Sequence, residues 1–335
     1  MLLLYHGNGV PASRGYNPTI MTIAVIIPCY KVTRHIEAVL AGIPQSVHHI
    51  LVVDDCCPEG SGDVAAKAAD PRIEVIRHAH NKGVGGAVVT GYVRALELGC
   101  DICVKMDGDG QMDPAELPRL IEPLASGRVD YTKGNRFRHL PELKAMPPVR
   151  LIGNSALSFL VKAASGQWGV MDPTNGYTAI HRRALEELDL GRLAERYFFE
   201  SDVLIQLGMA GLPVEDVAMP ARYGDEVSSL SVPKVMRDFP PLLLKGFLRR
   251  LLFRYFISDF TIASVYLLVG VPLLGFGLVE GIGQWIASVA SGVPRTAGTV
   301  MLAAMPTILG FQLLLQAIAH DVQTAPKARS GNTPS

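Results

Sequence analysis

Asp107 and Asp109 are separated by a single glycine and directly follow an apolar run, Ile102 to Met106. Gln111 and Asp113 come next, so oxygen-bearing side chains recur at every second residue. Carboxylates this close repel one another unless a cation lies between them, and magnesium prefers oxygen ligands. The spacing therefore favours a magnesium or manganese ion that carries a diphosphate. A solvated acidic turn is the alternative interpretation.

Two further apolar runs also end in residues that could contact a ligand. Pro28 and Tyr30 follow the first run, and Asp54 and Asp55 follow the second. Aspartate is common in turns, so the Asp54 and Asp55 pair taken alone favours a plain turn. Its functional interpretation depends on which residues the fold brings beside it.

The elements that must position these residues alternate between short apolar runs and amphipathic segments of helix length. The runs predict strands over Ile23 to Ile27, Ile50 to Val53, Ile73 to Ile76 and Ile102 to Met106. The segments between them predict helices over His35 to Ala41, Asp63 to Ala69 and Gly85 to Leu98. This alternation indicates an α/β fold with a mostly parallel sheet covered on both faces. Ligands of such sheets bind beyond the carboxyl ends of the strands, so three strand ends should meet in one acidic crevice.

Two other patterns have spacings that argue against their usual functions. Gly83-Val84-Gly85-Gly86 lacks the glycine at Val88 that a dinucleotide-binding loop needs, and it does not follow the first strand. Cys100 and Cys103 form a CxxC pattern without a second pair of ligands, so packing is favoured over zinc.

The C-terminal part of the chain is too apolar for an ordinary soluble domain. Residues 260–279 and 298–319 contain no charged residue, and each stretch has about the 20 residues that a helix needs to cross a bilayer. The alternative is a pair of buried helices in a soluble core. Basic residues flank the two stretches, whereas the connection from Glu280 to Ala297 carries only Arg295; the flanking residues are Lys245, Arg249, Arg250, Arg254, Lys327 and Arg329. The positive-inside rule then places both ends in the cytoplasm.

Overall composition excludes several classes of protein. The 31 basic residues balance the 31 acidic ones, so the whole chain has no net field to attract a polyanion, and a dedicated nucleic-acid binder is disfavoured. Five cysteines, with Cys56 and Cys57 adjacent, argue against a secreted disulfide scaffold and for a reducing compartment.

An ordered set of short motifs resembles the family 2 glycosyltransferases of GT-A fold, in the branch of dolichyl-phosphate mannose synthase and bacterial polyprenyl-phosphate glycosyltransferases. The resemblance covers Thr22 to about Leu230, and the apolar C-terminal stretches resemble the membrane anchor of the bacterial members. The motifs are PCYK (28–31), VVDD (52–55), NKGVGGA (81–87), MDGDGQMDP (106–114), GNRF (134–137) and DPTNGYTAI (172–180).

The resemblance implies roles for individual residues around the donor. The family holds its nucleoside where this chain has Pro28, Tyr30, Asp54 and Asp55, and we add Lys82 and Asp107 to this nucleotide-binding group. The family binds its metal and diphosphate where this chain has Asp107, Asp109 and Gln111. Ser229 stands where the family often has lysine, so Arg222 or Lys234 is expected to neutralise the leaving diphosphate.

The resemblance also implies a site for an acceptor phosphate. Arg136 matches one arginine of the family, and Arg150 matches a second, with Asn154 in place of the usual serine. A lone arginine in a loop is more often a solvated charge. Asp172, Glu200 and Asp202 are assigned to the donor sugar, although a role at a helix N-terminus is an equal alternative for Glu200 and Asp202. The expected catalytic residues are Asp107, Asp109, Arg136, Arg150 and Glu200.

These patterns predict five segments. They are an N-terminal extension (1–21), with Met1 and Met21 both open as the start; a GT-A catalytic domain (22–230); amphipathic juxtamembrane helices (231–258) broken at Pro240-Pro241; two transmembrane helices (259–320); and a cytoplasmic tail (321–335). For the juxtamembrane segment, a helix packed on the soluble domain is the alternative.

The expected activity is inverting transfer of a sugar from a UDP- or GDP-linked donor to a polyprenyl phosphate. A lipid phosphate is already anionic, so it needs cations to hold it rather than a strong general base. The expected location is the plasma (inner) membrane, with the catalytic domain in the cytoplasm, and a homo-oligomer is left open. The alternatives are a synthase that extends a polysaccharide or glycolipid, whose usual QxxRW motif is absent here, and a non-catalytic nucleotide-binding scaffold.

Overall fold

The computed structural model describes residues 21–136, 148–173, 175–220 and 232–329. Seven strands form one sheet in the order β3-β2-β1-β4-β6-β5-β7. The strands are β1 (Ile23–Cys29), β2 (His49–Asp54), β3 (Ile73–Arg77), β4 (Ile102–Lys105), β5 (Tyr131–Asn135), β6 (Thr178–His181) and β7 (Val214–Ala218). The four predicted strands are confirmed within about two residues at each end.

The sheet is mostly parallel, as predicted. Strands β1 to β4 pair in parallel, and so do β5 and β7. Strand β6 runs antiparallel to both of its neighbours, β4 and β5. The carboxyl ends of β1, β2 and β4 therefore open on one edge, as ligand binding in such sheets requires.

Helices cover both faces of the sheet. The helices are α1 (Ile36–Gly42), α2 (Ser61–Ala65), α3 (Val84–Glu97), α4 (Leu117–Ala125), α5 (Pro148–Ser165), α6 (Arg182–Glu187), α7 (Phe199–Ala210), α8 (Val232–Leu252), α9 (Ile262–Ser291) and α10 (Ala297–Gln323). In β1, Val25 and Ile27 pack with α1 and α4, whereas Ala24 and Ile26 pack with α3 and α7. Both faces of β1 are buried, which explains why its sequence is continuously apolar.

The predicted helix break at Pro240-Pro241 is wrong. Helix α8 runs without interruption through both prolines, and a π-helical turn, Phe253–Ser258, follows it. Proline removes a backbone donor, but packing can outweigh that loss. Phe239 and Leu243, on either side of the prolines, are buried in the core of the α/β domain, so tertiary contacts hold the helix together.

The two apolar C-terminal helices are candidate membrane spans by length and composition. Most of their large apolar side chains are exposed in the structure, unlike those of a soluble core helix. Helix α9 continues to Ser291, so most of the stretch predicted as a connection from Glu280 is helical. The apolar pattern persists beyond Glu280, whose carboxylate accepts a hydrogen bond from Gln284 one turn later.

Candidate active site

A crevice opens beyond the carboxyl ends of β1, β2 and β4. It brings together six of the residues singled out in the sequence, namely Pro28, Tyr30, Asp55, Asp107, Asp109 and Glu200. The crevice is also lined by Asn81, Gly83, Pro173, Arg196, Tyr197 and Phe239. The predicted convergence of three strand ends is thus seen in the structure.

A buried lysine on β4 organises the acidic centre of the crevice. Lys105 Nζ lies 2.8 Å from Asp107 Oδ1 and 3.3 Å from a carboxylate oxygen of Glu200, and it donates to the carbonyl of Gly176 at 3.2 Å. Burial alone would lower the Lys105 pKa, but attraction to Asp107 and Glu200 outweighs burial and raises it. The ammonium therefore stays charged and holds both carboxylates toward the crevice.

The acidic pair fits a divalent cation that is shared with a substrate phosphate. Asp107 and Asp109 both line the crevice, and Asp109 Oδ1 accepts the backbone N–H of Gln111 at 3.0 Å. Among the described residues there is no group of three or more His, Cys, Asp or Glu side chains that could form a complete protein site. Magnesium is usually held by one or two carboxylates, with water and substrate phosphates completing the shell, so two carboxylates suffice.

The two aspartates after β2 have different surroundings. Asp55 is buried and accepts backbone N–H groups from Lys82 at 2.8 Å and from Gly83 at 2.7 Å, while His78 Nδ1 lies 2.7 Å from its carboxylate. Asp54 instead accepts the N–H of Cys57 at 2.8 Å and does not line the crevice. Of the predicted pair, Asp55 alone reaches the crevice, where it holds the loop before α3.

Tyr30 and that loop form the end of the crevice where the sequence predicts the nucleoside. Tyr30 is 43% exposed, so one face of its ring is available to a base or ribose. Lys31 Nζ lies 5.5 Å from the centre of the same ring. Lys82 contributes its backbone to Asp55, and its side chain does not line the crevice, in contrast to the direct contact expected from the sequence.

Asp172 holds Arg136. The Arg136 Nε atom donates to Asp172 Oδ2 at 2.9 Å and Nη2 donates to Oδ1 at 3.3 Å. Asp172 is fully buried, whereas the Arg136 side chain is 37% exposed. The carboxylate therefore orients the guanidinium at the end of β5 and does not itself present an oxygen to a sugar.

Glu200 and Asp202 lie in the first turn of α7 but point in different directions. Glu200 lines the crevice and pairs with Lys105. Asp202 accepts the backbone N–H of Ala194 at 3.0 Å and pairs with Arg249 at 3.2 Å. The structure thus brings Glu200 to the site, whereas Asp202 joins α7 to α8.

Several predicted site residues lie outside what the structure describes. Arg150 and Asn154 belong to α5, and Lys234 belongs to α8, but their side chains are not among the described ones. Arg222 is outside the described residues altogether. Their assignments to the acceptor phosphate and to the leaving diphosphate remain predictions.

The sequence reasoning missed two residues that shape the crevice. Lys105 was hidden inside an apolar run, although a lysine two positions before an acidic pair is a usable signal. Arg196 lines the crevice, and its guanidinium has no hydrogen-bond or ion-pair partner in the described part of the chain. Its position against Gly83, which is distant in sequence, could not be read from spacing.

Comparison with known proteins identifies relatives that act on lipid phosphates. Residues 24–189 match the family model described as Glycosyl transferase family 2. The chain is 30% identical to a UDP-N-acetylglucosamine–dolichyl-phosphate N-acetylglucosaminyltransferase of Methanococcus voltae, over 58% of this chain and 85% of the relative. It is 31% identical to an undecaprenyl-phosphate mannosyltransferase of Micrococcus luteus, over 59% of this chain and 82% of the relative. It is 32% identical to a polyprenol monophosphomannose synthase of Mycolicibacterium smegmatis, over 60% of this chain and 77% of the relative.

Solved structures confirm the predicted fold. Glucosyl-3-phosphoglycerate synthase of Mycobacterium tuberculosis, in complex with Mn²⁺, UDP-glucose and phosphoglyceric acid, superposes with a TM-score of 0.52 at 19% identity. The superposition covers 69% of this chain and 79% of that protein. At this identity the likeness establishes the fold alone.

Proposed function

This chain belongs to glycosyl transferase family 2, and from that membership we propose that it transfers a sugar from a nucleotide sugar to the phosphate of a polyprenyl lipid, with inversion at the anomeric carbon. Three relatives at 30–32% identity carry names of lipid-phosphate sugar transferases. The observation that carries the proposal is the crevice in which Asp107, Asp109 and Glu200 meet at the strand ends, in a chain that also has two apolar helices.

The donor would occupy the crevice from Tyr30 to Glu200. Tyr30 and the loop held by Asp55 would contact the nucleoside, which we propose to be uridine or guanosine. Asp107 and Asp109, with Gln111 close by, would hold magnesium or manganese, which neutralises charge on the leaving diphosphate when bound. Glu200 lies beside the Lys105 ammonium and would accept hydrogen bonds from sugar hydroxyls.

Arg196 adds a cation at the rim of this crevice. Arginine binds phosphate oxygens with two parallel hydrogen bonds. We assign it to the leaving diphosphate together with Arg222 and Lys234, since Ser229 supplies no charge there.

The acceptor would approach from the side of Arg136. Pro173 lines the crevice next to Asp172, which fixes Arg136 at its edge. Arg136, Arg150 and Asn154 would hold the lipid phosphate in line with the anomeric carbon. The acceptor oxygen is already anionic, so orientation and neutralisation supply the catalysis and no general base is required.

The membrane location follows from the two apolar helices and their flanking charges. We propose that α9 and α10 cross the plasma membrane as a hairpin, with the catalytic domain and both termini in the cytoplasm. The backbone N–H of Arg329, beyond α10, donates to the carbonyl of Arg128 at 2.8 Å, which places the end of the hairpin beside the catalytic domain.

A donor screen tests the activity directly. The purified full chain is incubated with a short-chain polyprenyl phosphate, magnesium or manganese, and each UDP- and GDP-linked sugar in turn. We expect one donor to add one hexose unit to the lipid, detected by mass spectrometry, and Asp109→Ala to lose most of this activity while the chain stays folded. Near wild-type turnover of Asp109→Ala in EDTA would refute the metal assignment, and products with several sugar units would favour polysaccharide extension.

A further inference from the structure

Arg250 is a buried arginine at the junction between the catalytic domain and the apolar hairpin. Its side chain is 1% exposed, which is unusual for an arginine. Nη1 donates to Asp321 Oδ1 at 2.7 Å and Nη2 donates to Asp321 Oδ2 at 3.0 Å, so the pair is bidentate. Asp321 lies in the last turn of α10, at the end of the second apolar helix. The pair therefore joins α8 to the hairpin.

The Asp321 carboxylate also accepts hydrogen bonds from two other elements. The Tyr255 hydroxyl, from the π-helical turn after α8, donates to Oδ1. Trp168 Nε1, just after α5, donates to Oδ2 at 3.1 Å. With four donors, the carboxylate is fully satisfied, which a buried charge needs in order to be tolerated.

The remaining donors of Arg250 hold the C-terminal end of α5. Nε donates to the carbonyl of Ala164 and Nη2 to that of Ala163, both at 3.0 Å. A cation at this end also interacts favourably with the helix dipole. A Cβ atom on Gly166 would lie 2.6 Å from Nη1, so the chain is closely fitted around the guanidinium.

Helix α5 carries the proposed acceptor-phosphate residues Arg150 and Asn154 in its first two turns. About 20 Å of helix separates Arg150 from Ala163, at 1.5 Å per residue. One end of this rigid rod thus carries the phosphate-binding residues, and the other end is fixed to the end of the hairpin. We call the contacts of Arg250 with Asp321 and with the end of α5 the clamp. Any shift of the clamp would move the phosphate-binding end of α5 relative to the bilayer.

We propose that Arg250 and Asp321 are positioning residues that set the height of the acceptor-phosphate site above the membrane. The proposal rests on the proposed function, because it takes α5 to present the lipid phosphate. Buried ion pairs add little net stability compared with apolar side chains of the same volume, so stability alone gives no reason for this one. A fixed geometry between α5 and the hairpin does give a reason, since a lipid phosphate is confined to the membrane surface.

The test compares two acceptors in the full chain reconstituted in vesicles. One acceptor is a long-chain polyprenyl phosphate confined to the bilayer, and the other is a short-chain polyprenyl phosphate that is soluble in water. In Asp321→Asn we expect the KM for the long-chain acceptor to rise by about tenfold or more, because small misplacements far from the chemistry carry large costs. The KM for the short-chain acceptor, the donor KM and kcat should change by less than about twofold, since the site itself is intact.

Milder variants keep the test informative if Asp321→Asn does not fold. Tyr255→Phe and Trp168→Phe each remove one hydrogen bond to Asp321, and each should raise the long-chain KM by a smaller factor than Asp321→Asn. Arg250→Lys keeps the charge without the planar fork, so it should rescue only part of the loss seen in Arg250→Gln. Arg237→Gln is the matched control, because Arg237 lies on the same helix in an exposed pair with Asp238 and should change neither KM.

The outcomes separate the two proposals. A wild-type chain that glycosylates neither acceptor with any donor would refute the proposed function. An active wild-type chain whose clamp variants lose both acceptors equally, lose donor affinity or keep the wild-type long-chain KM would refute the positioning alone.

Discussion

Each carboxylate around the crevice has a partner within the chain, and that partner decides whether the carboxylate faces the crevice or is used in a structural contact. Lys105 directs Asp107 and Glu200 toward the crevice. In contrast, the Asp55 carboxylate accepts hydrogen bonds from the loop before α3, and the Asp172 carboxylate accepts them from Arg136. Side-chain direction is decided by contacts between residues distant in sequence. For this reason the sequence correctly identified an acidic crevice but assigned Asp54, Asp172 and Asp202 to ligands, whereas in the structure these carboxylates bind other parts of the chain.

The Arg136 and Asp172 pair predicts linked effects on the acceptor. Arg136→Ala should raise the acceptor KM roughly ten- to a hundredfold, the equivalent of about 1.5–3 kcal/mol for a lost charge-assisted contact. Asp172→Asn should act in the same direction but less strongly, because it loosens Arg136 without removing it. The donor dissociation constant, measured by calorimetry, should stay within about twofold of wild type in both variants.

The double variant provides the control for that prediction. If Asp172 acts through Arg136, Arg136→Ala/Asp172→Asn should be no worse than Arg136→Ala alone. If the two substitutions raised the acceptor KM additively, or if Asp172→Asn weakened donor affinity, the result would instead support a contact between Asp172 and the donor sugar.

Asp216 on β7 predicts a pH-dependent stability. Burial, opposed by hydrogen bonds and by nearby Lys133, raises the Asp216 pKa from 3.8 to about 6. A raised pKa means that the folded chain holds this proton more tightly than the unfolded chain does. The stabilising contribution is therefore complete below about pH 4 and is lost as the pH rises through about 6.

Asp216→Asn removes the buried charge with little change in shape. Thermal unfolding in detergent should give a midpoint a few degrees above wild type at pH 8 and an unchanged midpoint near pH 4, because at low pH both side chains are neutral. Equal shifts at the two pH values would show that packing, rather than ionisation, distinguishes the variant.

At the scale of secondary-structure elements, the sequence predicted the strands that are continuous apolar runs. Strands β1 to β4 are such runs, but β7 contains Glu215 and Asp216 and was not found. Strand β6 has four residues and reverses direction, which spacing does not reveal. Helix α8 was predicted to break at its prolines because local propensity opposes a continuous helix, and the buried side chains of Phe239 and Leu243 override that propensity.

The hairpin of α9 and α10 depends on close backbone contact at glycines. A Cβ atom on Gly310 would lie 2.4 Å from the backbone nitrogen of Leu274, so Gly310→Leu should force the helices apart. We expect a loss of about 1–3 kcal/mol, typical of overpacking, seen as a lower thermal midpoint and faster proteolysis in detergent. Gly283→Leu is the matched control, because no atom lies within 4 Å of its Cβ position. Equal thermal midpoints and equal proteolysis rates in the two variants would contradict close packing of α9 and α10 at Gly310.

At the scale of the whole molecule, two ion pairs join the end of the hairpin to the catalytic domain. Arg250 with Asp321 fixes α5 and α8, and Arg329 Nη2 lies 2.6 Å from a carboxylate oxygen of Asp130, just before β5. Both pairs lie at the same end of α9 and α10, so the proposed hairpin would leave the crevice and the C-terminal residues on one side of the membrane. The charge asymmetry in the sequence predicts that this side is the cytoplasm.

Thiol labelling tests this orientation in the full chain. Val293 lies between α9 and α10 and is 58% exposed, so Val293→Cys should react with a membrane-impermeant maleimide applied to intact spheroplasts. Ser330→Cys, beyond the residues that the structure describes, should react only after permeabilisation. The natural Cys56 is exposed on the catalytic domain, so the unmodified chain serves as an internal marker that should also stay unlabelled from outside. Two results would contradict this orientation. A hairpin places both of its ends on one side of the membrane, so external labelling of Cys56 and Ser330→Cys, but not of Val293→Cys, would show that the topology is inverted. External labelling of Ser330→Cys and Val293→Cys, with Cys56 protected, would show that α10 does not cross the bilayer.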